Sequence, residues 1–228
     1  MRFRSLTHFV FLICLWLSAF YPCLSQSTAA DSTPVGRRYT LKSFIVPSVL
    51  AGSGVALLNE RTRAPFRSEV PITNIDDFLV AGPYALRLGL GLSGVRPALA
   101  PGDEFLVTAL SNIGTAGVTL FLKHGVRSRR PDGSDTESFS SGHTALAFNA
   151  AELLHQAYRH KSPWISIAGY SMASAVGVLR LANNRHHWAD VLAGAAIGMA
   201  SVKITYIAYP YVKRVMTPRR SRSRRSAE

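Results

Sequence analysis

Three short pieces of the chain carry side chains whose types and spacing could do chemistry together: Lys123 to Arg130-Pro131, Ser140 to His143, and Arg180 through His186 to Asp190. They supply three cations, a Ser-Gly pair, two separated histidines and a carboxylate four residues past the second histidine. A transferring phosphoryl group spreads charge over its equatorial oxygens, so a site for it must preset positive charge and hydrogen-bond donors. Lys123, Arg130 and Arg180 are the candidates, because an arginine fork gives two parallel hydrogen bonds to phosphate and keeps its proton. Ser141 and Gly142 precede the apolar-periodic segment Thr144 to Leu154, which predicts a helix N-terminus whose unpaired amides favour an anion. His186 and Asp190 at i,i+4 predict one helix face, on which the carboxylate fixes the imidazole tautomer and makes His186 an oriented nucleophile. His143 can protonate the departing oxygen.

Other readings compete residue by residue. Lys123 also fits the C-terminal end of an apolar helix, where a cation complements the dipole. Arg127 and Arg129 rival Arg130, which its place before Pro131 singles out, and His187 rivals His186 at i,i+3 from Asp190. Histidines with an aspartate also suit a metal, although no His-Glu-x-x-His motif or cysteine pair accompanies them.

The pattern Lys123-(six residues)-Arg130-Pro131, Ser141-Gly142-His143 and Arg180-(five residues)-His186-(three residues)-Asp190 resembles the three-part signature of the type 2 phosphatidic acid phosphatase superfamily, which includes bacterial acid phosphatases and vanadium haloperoxidases. The resemblance implies that Lys123, Arg130, Ser141, Gly142 and Arg180 bind phosphate. It further implies that His143 is the general acid, that His186 forms a phosphohistidine oriented by Asp190, and that no metal or cofactor is needed. The family usually has Pro where Ser140 stands and Ser where Leu179 stands.

The elements that must position these residues read as helices. Apolar stretches run from Leu41 to Leu58, broken by Pro47, Gly52 and Gly54; from Phe78 to Val95, with Arg87 inside; and from Phe105 to Leu122 without charge. Asn59 to Asp77 reads as a charged loop, and His124 to Ser140 as a polar rim. A helix opening at His143 places Leu146, Ala150, Leu153 and Leu154 on one face and Glu152 on another, and ends near Arg159. Pro163 to Leu179 delivers Arg180, and a last helix runs from about His186 to about Tyr211, with Gly194 and Gly198 as a small-residue packing face. No strand alternation is present. The fold class is all-α: five or six helices in a membrane-embedded bundle, with a four-helix core around the phosphate site at one end.

The 228 residues suit one domain or two small ones, at a net charge of +13. Residues 1–25 read as a signal peptide or signal anchor, residues 26–40 as a polar linker, 41–212 as the helical domain, and 213–228 as a disordered basic tail. Cys14 and Cys23 both lie in the first segment, so the mature chain is expected to have no disulfide or thiolate chemistry. The tail suits anionic lipid headgroups; nothing resembling a nucleic-acid-binding fold accompanies it.

Only Phe105 to Leu122 and Pro163 to Leu179 are uncharged for nearly a bilayer's thickness. Three full spans ahead of Lys123 would put the site in the cytoplasm after an exported N-terminus, so Leu41 to Leu58 is expected not to cross. The expected function is a metal-independent phosphatase acting on a lipid phosphate or diphosphate, with lipid A and polyprenyl diphosphate leading, in a bacterial membrane with its site facing the periplasm. A soluble periplasmic acid phosphatase and an inactive lipid- or phosphate-binding protein are the alternatives.

Overall fold

A computed structural model describes residues 41–58 and 74–216. The expected signal segment, the linker and the tail beyond Met216 lie outside the described residues. Among the described residues a 3-10 turn at Leu41–Phe44 leads into α1 (Ile45–Ala56), followed by α2 (Ile75–Leu79), α3 (Gly82–Leu92), α4 (Pro101–Val126), α5 (Gly142–Tyr158), α6 (Pro163–Ala182) and α7 (Trp188–Met216). No strand occurs among them. Six helices are eleven residues or longer, and the four from α4 to α7 form the core.

Helix α5 is the axis of that core because its sequence lets neighbours close in from every side. Ala145, Ala147, Ala150, Ala151, Leu153, Leu154, Ala157 and Tyr158 are all buried. The expected Gly194 and Gly198 face is where α7 meets it. A Cβ added at Gly198 would stand 2.2 Å from the Ala145 carbonyl oxygen, and one at Gly194 would stand 2.6 Å from that of Ser141. Only residues without a side chain permit this approach of two backbones.

The two-faced reading of α5 does not hold. Glu152 is fully buried, and its carboxylate takes hydrogen bonds from Gln156, from Tyr170 on α6 and from Lys203 on α7. The helix is enclosed by protein, so a charge on it needs a partner rather than water. Arg87 likewise faces protein, pairing with Glu104 and donating to the Thr108 hydroxyl.

Three helices are long and apolar enough to cross a membrane, namely α4, α6 and α7, and the chain is a membrane protein. The expected two uncharged spans thus gain Trp188–Met216, whose Lys203 is spent on Glu152 instead of facing lipid. The last helix also outruns the expected end at Tyr211 and carries Lys213 and Arg214 within it, with Pro210 inside. Helices α1 and α3, at about 18 and 17 Å, are shorter than the hydrocarbon core. In place of a loop reaching Asp77, the chain turns helical at Ile75, with Asp76 and Asp77 in the first turn.

Candidate active site

The ends of four helices converge on one end of the bundle. Helix α4 finishes there with Lys123 in its last turn, α5 begins there after Ser141, α6 finishes with Arg180, and α7 begins two residues after His186. The helix N-terminus expected at the Ser-Gly pair is present. Ser141 is the N-cap of α5, its hydroxyl accepts from the Thr144 amide at 3.4 Å, and its own amide donates to the Asp190 carbonyl at 3.0 Å. The preceding Phe139–Ser140 peptide is cis.

The helix expected from about His186 starts later, at Trp188, so His186 and His187 precede it and the i,i+4 face argument fails. Another local contact takes its place. Asp190 is the third residue of α7, and its carboxylate accepts the His187 amide at 2.8 Å, the reach-back half of a capping box. The same oxygen, Oδ2, accepts the Ser138 hydroxyl and lies 3.4 Å from His187 Nδ1 and 3.6 Å from His186 Nδ1. At 3.6 Å the last of these is an electrostatic contact rather than a hydrogen bond, and His186 Nδ1 is buried without a hydrogen-bond partner.

Burial separates the residues that spacing left in competition. His186 is 3% exposed, whereas His187 is half-buried. Arg130 is half-buried and paired with Asp135 at 2.8 Å, whereas Arg127 and Arg129 are exposed. Burial pushes the His186 imidazole down to about 3, and the positive charges of Arg180 and Arg130 add to that effect against the opposing pull of Asp190. The ring is therefore neutral across the physiological range and sits in a field suited to an anion. Lys123 completes the cationic wall. Its ammonium donates to the Glu137 carbonyl, close enough to Arg130 and Asp190 to feel both charges.

Three residues of the site, Asp76, Asp77 and Ser138, carry no clear signal in the sequence. Asp76 binds Arg180 Nη1 at 2.6 Å and accepts from Asn183 at 3.3 Å. Asp77 Oδ1 stands 2.8 Å from His143 Nε2 and 3.7 Å from Arg180 Nη1. Ser138 anchors Asp190. The signal for the first pair was an Asp-Asp dipeptide directly ahead of an apolar run, which reads equally well as an ordinary loop. Burial holds His143 below the ordinary histidine value despite Asp77, while the hydrogen bond from His143 holds the Asp77 carboxyl below its own. A neutral imidazole donating Nε2–H to a carboxylate satisfies both. Among the described residues no group of three or more His, Cys, Asp or Glu side chains is arranged to hold a metal ion.

An enclosed helical bundle with cations, two helix N-termini and two imidazoles at one end, His186 buried and His143 half-buried, is a site for an oxyanion. The family model of the PAP2 superfamily matches residues 92–214, more than half of the chain and all three motif pieces, and the chain belongs to that family. A curated relative, the lipid A 1-phosphatase of Porphyromonas gingivalis, is 38% identical over 135 residues, 59% of this chain and 30% of the relative. The match therefore spans less than a third of that relative's length. Solved structures similar to the chain include Aquifex aeolicus LpxE, at 18% identity and a TM-score of 0.42 over 75% of this chain and 89% of that one. Another is the transmembrane PAP2-type phosphatidylglycerolphosphate phosphatase of Bacillus subtilis, at 17% identity and a TM-score of 0.41 over 94% of this chain and 98% of that one.

Proposed function

We propose that the chain is a phosphatase that removes phosphate from a lipid phosphate or diphosphate through a phosphohistidine at His186. The observation that carries this reading is the buried, neutral His186 held between Arg180, Arg130 and Asp190. With a proton on Nδ1 facing Asp190, Nε2 keeps its lone pair and attacks phosphorus. Lys123, Arg130, Arg180 and the Ser141 and Gly142 amides balance the charge on the equatorial oxygens. As the phosphorus–oxygen bond of the ester breaks, His143 delivers a proton to the leaving oxygen. It then takes one from the water that hydrolyses the phosphohistidine. Positive charge comes from side chains, so no divalent ion enters the reaction.

The three apolar helices support a lipid substrate over a soluble one, and the P. gingivalis relative makes lipid A the first to test, with polyprenyl diphosphate next. The reading extends to a bacterial membrane with the site on its periplasmic face. Arg159, Lys161, Lys213 and Arg214 lie at the end of the bundle away from the site, and basic residues there support a cytoplasmic side at that end.

The experiment is phosphate release by detergent-purified protein from lipid A, polyprenyl diphosphate and phosphatidic acid, with and without EDTA. Turnover of at least one lipid at an unchanged rate under EDTA is expected, with vanadate inhibiting more tightly than phosphate because it adopts the trigonal-bipyramidal shape of the transition state. Activity lost to chelation and restored by one metal would end the phosphohistidine reading.

A further inference from the structure

The two adjacent carboxylates of α2 lie against the site but do different things there. Asp76 holds Arg180 and Asn183, fixing a cation of the cradle. Asp77 reaches past Arg180 to His143 Nε2 at 2.8 Å. We propose that Asp77 is the positioning residue of the acid–base step, holding His143 by Nε2 so that Nδ1 is the nitrogen that meets the leaving oxygen and, later, the attacking water.

This rests on the reading of His143 as the acid. In that step Nδ1–H gives its proton to the ester oxygen as the His186–phosphorus bond forms and the phosphorus–oxygen bond breaks. His143 returns to the neutral form with its remaining proton on Nε2, donated to Asp77. A half-buried imidazole next to Arg180 resists taking up that proton in the first place. The charged groups facing His143 are Asp76 and Asp77 from α2 and Arg180 from α6, and Asp77 itself faces Arg180 and Arg185. Of these, Asp77 alone is hydrogen-bonded to the ring and so both orients it and stabilises its cation.

The test compares leaving groups. p-Nitrophenolate departs without protonation, whereas an alkoxide does not, so loss of acid catalysis is felt by an alkyl phosphate and hardly by p-nitrophenyl phosphate. Asp77→Asn, which keeps the shape and removes the charge, is assayed with dodecyl phosphate and p-nitrophenyl phosphate in detergent by kcat/KM, which covers events up to leaving-group departure. The expected result is a loss of about tenfold to a hundredfold with dodecyl phosphate and about threefold or less with p-nitrophenyl phosphate. The basic limb of the pH profile should move to lower pH by about one unit, since the imidazolium loses its counter-charge. Vanadate inhibition should persist, which shows that the cradle is intact.

His143→Ala, run in parallel, must show the same leaving-group discrimination. If it does not, the acid assignment falls and takes the inference with it. If His143→Ala discriminates and Asp77→Asn does not, only Asp77 is wrong. Equal losses with both esters, or lost vanadate inhibition, would mark Asp77 as structural, and faster turnover of both would mark it as an obstruction to phosphate binding. Either result overturns the proposal. Asp76→Asn should instead weaken both substrates alike, through KM.

Discussion

At the residue scale, the choice between adjacent histidines is the sharpest commitment. Asp190 Oδ2 is slightly nearer His187 than His186, so proximity to the carboxylate does not select the nucleophile. Burial and the field of two arginines favour His186 for the proposed role. His186→Ala is expected to abolish turnover and the radiolabelled phosphoenzyme trapped by acid-free quenching, while His187→Ala retains most of both; the reverse pattern would move the nucleophile by one residue. The same burial has a thermodynamic side. His186 has an ordinary value of 6.5 and a folded value of about 3. Between those values the unfolded chain binds a proton that the folded one refuses. Stability is thus complete above about pH 6.5 and declines as pH falls toward 3. Thermal melts in detergent should show Tm falling over that window, and less steeply in His186→Asn. That Lys123, Arg130, His143, Arg180, His186 and Asp190 come together at one end of the bundle was legible in the sequence, because a phosphoryl-binding site would constrain their types and spacing tightly. Asp76 and Asp77 were not, since nothing local distinguishes a carboxylate that folds back onto a distant arginine from one that faces water.

At the element scale, helices α5, α6 and α7 are joined by a polar contact inside an apolar bundle. Glu152 accepts from Lys203, Tyr170 and Gln156 at once, which satisfies a charge that lipid or an alkyl core would not. Removing one partner leaves the other buried and uncompensated, at a cost of roughly 3–5 kcal/mol, whereas removing both is close to neutral. Lys203→Met should therefore lower the melting temperature in detergent markedly, and Glu152→Gln added to it should restore much of the loss. A double variant as unstable as the single one would show that the ion pair is not the reason. Periodicity located these helices well but misjudged α5, because its burial depends on what α6 and α7 present to it. It also began α7 too early, since a capping contact by Asp190 resembles a helical i,i+3 spacing until the backbone is seen.

At the scale of the whole molecule, the site and the C-terminal end of α7 lie at opposite ends of a helix long enough to cross a bilayer. A periplasmic site therefore requires a cytoplasmic C-terminus, whatever the N-terminal segments do. A reporter fused after Glu228 should be active only when it is a cytoplasmic marker, and periplasmic reporter activity would reverse the orientation. Excluding Leu41 to Leu58 as a span leads from the sequence to the same expected orientation. The shortness of α3 as well as α1 shows that counting apolar stretches was too coarse a basis for it.

The hydroxyl of Ser138 ties the loop that carries Arg130 to the carboxylate beside His186. In the proposed mechanism, grip on the phosphate and basicity of the imidazole are then linked quantities, and linkage is reciprocal. If phosphate on Arg130 tightens the Ser138 contact, loss of charge at Asp190 must loosen phosphate by the same factor. Letting go of product and resetting the nucleophile would accordingly be a single motion of one loop.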